Sequence, residues 1–304
     1  MRYGTTRDNV LALRAVLPSG EVLRLGSKAR KTAAGYDLRG LFIGAEGTLG
    51  VITEVTVRLY PLPEHVAVLR ANFTGIEQAA ECATLLMGAA LQPERLELLG
   101  PSRIQAVNQY LGRQYPEEPT LWVEFAAVSK DALESTLAVA RNLCLSAQGQ
   151  NLAEARSEAE RASLWEARHK AYYALAAQHP GHAFLSTDLC VPLEYLPELV
   201  GYAAALAQAA GLHTGVIGHV GDGNFHMNFH AAPDDGAAWA TIRGVYSDLV
   251  NRTLERGGTC TGEHGVGLHK REFLAREHGD SLELMRQVKA VFDPQGIMNP
   301  GKVF

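Results

Sequence analysis

The chain has 304 residues, 47% of them hydrophobic and 20% charged, the balance of a soluble globular protein with enough apolar side chains for two cores. A formal net charge of -5 and the absence of a Lys/Arg stripe exclude a nucleic-acid binder and leave small-molecule chemistry as the expectation. No apolar stretch approaches the roughly 18 residues that cross a bilayer, and the N-terminus lacks the profile of a secretion signal, so the expected location is the cytoplasm or the periphery of a membrane.

Residues 10–25 read as a hairpin: VLALRAVL alternates with a period near two, Pro18-Ser19-Gly20 turns the chain, and EVLRL resumes. After a short basic stretch, LFIGAEGTLGVITEVTVRLYPLP sets Gly44, Gly47 and Gly50 between an apolar run and a β-branched strand that Pro61 and Pro63 end. From Val66 onward, strands alternate with Ala/Leu-rich helical windows: VAVLRANF, 75–90, RLELL, 100–112, LWVEFAAV and 130–147. That alternation predicts an α+β domain whose antiparallel sheet carries helices on one face. Further along come a long helical window at 154–177, a strand near 183–191, a helix at 193–211, a strand pair around 213–230, and helices near 236–256 and 279–292. The tail MNPGKVF is expected to dock. Cys82, Cys144, Cys190 and Cys260 are scattered without a CxxC pair, which implies reduced, buried thiols.

The strongest local signal is Gly218-His219-Val220-Gly221-Asp222-Gly223-Asn224-Phe225-His226. On one continuous strand these histidines would face opposite sides. If Gly221–Asn224 form a four-residue turn, Val220 pairs with Phe225 and His219 stands opposite His226, Cβ atoms about 5 Å apart. Two imidazoles so placed can share a Zn, Mn or Fe ion with a carboxylate, for which Glu263 is the candidate. The same spacing also fits a packed cross-strand pair. Glu263 lies in the run Gly257–Gly267, whose glycines would let backbone approach a bound group.

His264 follows Glu263, and on an extended loop the two side chains would point apart, leaving His264 available as a base with an ordinary pKa near 6.5. Its alternative role is to anchor the loop by hydrogen bonding. Arg168, inside the long helical window, has a guanidinium that can fork onto a carboxylate, although a helical arginine is more often a solvated charge. His213, His230, His269 and His278 read as surface or packing residues.

Taken together, RYGTTRDNVL, KTAAGYDLRGLFIGAEGTLGVIT, STDLCVPLEYLPEL, GHVGDGNFH, GGTCTGEHGVGLHK and FDPQGIMNPGKVF, in this order, resemble the FAD-linked oxidase family of VAO/PCMH-type flavoproteins. The likeness is greatest to its D-lactate dehydrogenase (cytochrome) group, with the flavoprotein component of glycolate oxidase and D-2-hydroxyglutarate dehydrogenase as relatives. The resemblance implies three parts: 1–62 as the second half of an FAD-binding domain, 63–284 as a ferredoxin-like antiparallel substrate (cap) domain with a metal site, and 285–304 as a segment returning to the FAD domain. It implies metal ligands at His219, His226 and Glu263, a base at His264 and a carboxylate-binding arginine at Arg168. It also implies flavin contacts at Glu46, Gly47, Thr48, Leu49, Gly50 and Ile52, with Asn299 and Lys302 returning to the flavin.

The implied cofactors are FAD and a divalent metal (Zn, Mn or Fe), and the implied reaction is oxidation of a D-2-hydroxy acid such as D-lactate to the 2-oxo acid. Ser186 stands where D-2-hydroxyglutarate dehydrogenases carry a lysine, which argues against a dicarboxylate substrate. The implied electron acceptor is a cytochrome, a quinone or an electron-transfer flavoprotein. Family members carry an FAD pyrophosphate loop before the equivalent of Tyr3, so the chain is expected to be a fragment, or to pair with a separate N-terminal FAD-binding half. The alternatives are a metal-dependent hydrolase and an inactive, partner-dependent fragment.

Overall fold

A computed structural model describes residues 1–304 and resolves into two compact units, Met1–Arg2 with Pro63–Gly262, and Tyr3–Leu62 with Glu263–Phe304. Residues 263–284, expected from the sequence to lie in the substrate domain, pack with Tyr3–Leu62 in the second unit.

The first unit is built on an antiparallel sheet. Its strands run in the order Gln150–Ala155, His65–Asn72, Thr120–Ala127, Arg95–Leu99, Val216–Gly218, Asn224–Ala231, Ala183–Ser186, and the short strand Leu189–Cys190 also pairs with Asn224–Ala231. Strand residues alternate between faces. Val68, Trp122 and Ala155 therefore meet helices Pro101–Leu111 and Glu158–Gln178, while Ala67, Leu69, Leu121 and Val123, equally buried, point the other way. Helix Lys130–Ser146 packs against the strands at 65–72 and 120–127, and helix Ile76–Gly88 against those at 95–99 and 120–127. Helices thus cover both faces, not the single face expected, because apolar residues of the central strands point to both sides, among them Ala67, Val68, Leu69, Leu121, Trp122 and Val123, and neither side can be left to water.

The long helix starts at Glu158, later than expected, because Gln150–Ala155 is a strand and Ser157 then caps the helix. Its side chain accepts from the Glu160 amide at 3.3 Å, and the Glu160 carboxylate accepts from the Ser157 amide at 3.0 Å. Ala167, Ala171 and Ala174 form a small-residue stripe that lets helix 101–111 approach closely.

In the second unit, Val10–Val16 is the central strand between Val22–Gly26 and Val51–Val57, so the expected hairpin is present. Val10, Leu13, Ala15, Leu25, Phe42 and Leu49 form its core, and Phe292, at the end of helix Ser281–Phe292, meets Phe42 edge-on at 5.4 Å. The two ends of the sequence therefore share one core. Helix Arg271–His278, for which the sequence reading contains no counterpart, buries Phe273 and Leu274, the latter beside Val266 and Leu282.

Candidate functional site

The histidine pair sits at the end of an antiparallel strand pair whose register is Val216 opposite Met227 and Ile217 opposite His226. His219 is thus not opposite His226, as the four-residue turn at 221–224 would have made it. The turn comes one residue earlier, as a tight helical turn over Val220–Asp222 closed by Gly223, with His219 just before it. Gly223 has φ +76, and a Cβ there would lie 2.0 Å from the carbonyl oxygen of Val191. The rings nevertheless converge, centroids 6.3 Å apart and planes perpendicular.

Each ring is held by Nδ1. In His226 this nitrogen lies 3.0 Å from the Thr187 carbonyl oxygen, and 3.6 Å from Oδ1 of Asp188. A carbonyl can only accept, so His226 carries its proton on Nδ1 and its lone pair on Nε2. In His219, Nδ1 lies 2.5 Å from Oε1 of Glu97, which favours the same tautomer. Imidazoles oriented in this way through their second nitrogen are characteristic of metal ligands.

Glu97 is 4% exposed, and its other oxygen accepts from Nε of Arg168 at 2.7 Å. Arg168 is therefore held on the long helix through one edge, and its two Nη groups form the fork that a carboxylate accepts. A second guanidinium is buried nearby. Arg103 donates through Nη2 to Oδ1 of Asn228 at 2.5 Å, while its Nε and Nη1 have no hydrogen-bond partner. Burial first, and then the charge of Arg168, push its pKa down to about 10. Asn228 in turn donates to the Ser186 hydroxyl.

Asp188 organises the approach of the glycine-rich run. Fully buried, it accepts from Nδ2 of Asn224 at 2.8 Å and from the Thr261 hydroxyl at 2.9 Å, and its carbonyl accepts from the Gly262 amide at 3.2 Å. Thr259 exchanges backbone hydrogen bonds with Cys190. A Cβ at Gly258 would lie 2.4 Å from the Cys190 carbonyl oxygen, and one at Gly262 would lie 2.4 Å from Asn224 Nδ2, so this pairing requires glycine at both positions. The chain then passes into the second unit with Glu263 and His264.

Those two side chains do not diverge as an extended loop would make them. The backbone bends at Gly262–His264, and Oε1 of Glu263 lies 3.7 Å from Nε2 of His264. Within the second unit the following residues are fastened to Glu46: its carboxylate accepts from the amides of Val266 and Gly267 at 2.7 and 2.8 Å, and its carbonyl accepts from Nδ2 of Asn299 at 2.5 Å. Lys289 donates to the Thr48 carbonyl at 2.6 Å. Thr48 and Leu49 are buried, and Gly50 has no room for a Cβ against Val16 and Phe42, whereas Ile52 is exposed. Lys302 is half-buried in the tail, its amide 3.4 Å from the Asn299 carbonyl oxygen.

Glu97, Arg103, Asp188 and Asn228 were not among the expected site residues. The signal for Glu97 is a lone carboxylate inside the otherwise apolar strand segment Leu96–Leu99; for the others, nothing in their neighbours sets them apart.

The profile of the family described as FAD linked oxidases, C-terminal domain, matches residues 62–303. The chain is 41% identical over its whole length to D-lactate dehydrogenase [cytochrome], mitochondrial, of Arabidopsis thaliana, covering 53% of that protein. It is 40% identical to a probable mitochondrial D-lactate dehydrogenase of Danio rerio, covering 62% of it, and 33% identical to glycolate oxidase subunit GlcD of Bacillus subtilis, covering 65%. The chain thus spans about half to two thirds of the length of these curated relatives. Among solved structures, p-cresol methylhydroxylase superposes with a TM-score of 0.75 at 14% identity, and 4-ethylphenol oxidase from Gulosibacter chungangensis with 0.74 at 17%, covering all of this chain and 66% and 67% of theirs. These last two likenesses establish the fold. No helix is long and apolar enough to cross a membrane. With four fifths of its length matched by the family profile, the chain belongs to the FAD-linked oxidases, as their C-terminal domain.

Proposed function

We propose that this chain is the substrate-binding part of a flavoprotein that oxidises a D-2-hydroxy acid, with D-lactate as the reference substrate. The reading is carried by Glu97, which holds Arg168 and His219 on the two sides of one buried carboxylate and so presents a carboxylate-binding fork beside a metal-ligand imidazole. His219 and His226, with Glu263 as third ligand, would hold a divalent ion, which would supply Lewis acidity at the bound substrate, and Arg168 takes the carboxylate fork. The donor set fits zinc, manganese or iron. His264 accepts the hydroxyl proton, whose acidity a bound cation would raise.

Glu46–Gly50, Ile52, Asn299 and Lys302 form the part of the flavin site this chain contributes, next to an edge strand whose Val51, Ile52, Val55 and Val57 are all exposed. FAD, when bound, supplies the hydride acceptor. The rest of its site is placed on an N-terminal segment or a separate polypeptide, for which that apolar edge is the docking strand. The hydroxyl of Ser186 is already engaged by Asn228, which suits a monocarboxylate substrate. Electrons leave to a cytochrome or a comparable acceptor.

The test is metal-dependent binding of D-lactate to the purified chain by titration calorimetry, followed by D-lactate-driven bleaching of flavin once an FAD-binding N-terminal half is co-expressed. D-lactate binding that vanishes in Arg168→Ala, and flavin reduction that vanishes in His264→Ala with metal content unchanged, are the expected results. Metal-stimulated ester hydrolysis with no response to D-lactate would overturn the reading in favour of a hydrolase.

A further inference from the structure

Three histidines of the first unit converge where helix Glu158–Gln178 ends and strand Asn224–Ala231 ends, and one of them is His230, which the sequence suggested was only a surface or packing residue. His179 caps the helix, His182 follows after Pro180-Gly181, and His230 is the penultimate residue of the strand. One ring nitrogen from each lies within 4.8 Å of the others. Nδ1 of His182 is 3.1 Å from Nδ1 of His230, and the His179 ring stacks on His230 with centroids 3.7 Å apart. The tertiary fold builds this meeting, since strand Ala183–Ser186 pairs with the end of strand 224–231 and brings His182 alongside His230.

We infer that His179, His182 and His230 form a second metal site, selective for a borderline transition-metal ion of the zinc, cobalt, nickel or copper class. The donor set is all imidazole and contains no carboxylate, which suits these ions and not calcium or magnesium. Three histidines with an open fourth position make a tetrahedral site completed by water. In two of the three rings the neutral form is favoured: burial first, then the charges of His179 and His182, push the pKa of His230 down to about 4, and burial followed by His182 lowers that of His179. Binding turns His179 out of its stack, which its half-buried position at the helix end permits. A bound ion would tie the end of the helix that carries Arg168 to the end of the strand that carries His226.

The experiment counts metal equivalents on the whole chain after removal of metal with a chelator, by titration with Co²⁺ and then Zn²⁺. His182 is exposed, so His182→Ala keeps the fold; it should bind one equivalent fewer than the parent, lose the d–d absorption of the tetrahedral cobalt species, and lose the zinc-induced rise in melting temperature that this equivalent produces. His230→Gln should weaken the same equivalent by about tenfold or more. The count is repeated in a His226→Ala background, where one equivalent should remain and should vanish on adding His182→Ala. This arm separates the inference from the reading given for His219 and His226. Equal stoichiometry and affinity in the parent and His182→Ala, or no equivalent left in His226→Ala, would overturn it.

Discussion

Nδ1 of His219 lies 2.5 Å from Oε1 of Glu97, a carboxylate whose second oxygen holds Nε of Arg168 at 2.7 Å. One buried anion on the strand Arg95–Leu99 therefore sets the tautomer of a histidine on a loop and the pose of an arginine on a helix. Removing the carboxylate while keeping its shape, in Glu97→Gln, presents an amide N–H to one of two donors. The variant is expected to bind zinc about 10- to 100-fold more weakly, read by competition with a chromophoric chelator. Glu97→Ala, which leaves the largely buried Arg168 without its anion, should cost about 3 kcal/mol in urea unfolding. Unchanged zinc affinity in Glu97→Gln would show that the contact does not position His219.

Gly223 closes the turn between the two histidines with a left-handed backbone and no space for a side chain against Val191. Gly223→Ala should destabilise the first unit by about 2 kcal/mol or more, combining the left-handed penalty with displacement of the Val191 backbone. Because the turn sets where His219 leaves the strand, zinc affinity should fall with it. A melting temperature equal to that of the parent would show that the turn relaxes without consequence.

The carboxylate of Glu46 accepts two backbone hydrogen bonds, from Val266 and Gly267. Charge-assisted bonds of this kind contribute roughly 1.5–3 kcal/mol each. In Glu46→Ala the amides of Val266 and Gly267 should lose hydrogen-exchange protection while the Val10–Val16 ladder keeps its own. Protection retained at both amides would mean that the loop is held by other contacts.

Asp293 anchors the C-terminal tail: Oδ1 accepts from the Ile297 amide at 3.1 Å, Oδ2 accepts from the Met298 amide at 2.8 Å, and Lys289 pairs with the same carboxylate. Burial alone would raise its pKa, but Lys289 and the two amides outweigh that and leave it below the usual 3.8. A carboxylate whose folded pKa is depressed stabilises the protein above the unfolded value and loses that contribution as pH falls through the folded value. The stability gap between the parent and Asp293→Asn should therefore be constant above about pH 5 and shrink as pH falls below 3.8. A gap independent of pH across that window would contradict the assignment.

The division of labour between sequence and fold is clearest at the histidines. Local alternation of apolar residues was sufficient to place most of the strands and the long helices, though not strand Gln150–Ala155, and the glycines flanking His219 and His226 announced a turn, because these are preferences of neighbouring residues for one backbone conformation. The position of that turn was legible only to within one residue. It depends on the fit of Gly223 beneath Val191, a partner some thirty positions away. Asp188 and Arg103 carry no local mark of function, and the lone carboxylate of Glu97 in its apolar strand marks a buried charge without naming its partners, since a polar residue acquires meaning only from what the fold sets beside it. The same holds for His230: apart, His179, His182 and His230 are three unremarkable side chains, and only the pairing of strand Ala183–Ser186 with Asn224–Ala231 concentrates their imidazoles in one place. Long-range register, set by burial of apolar strand faces across hundreds of residues, decided which polar groups meet, and no short stretch of chain contains that information.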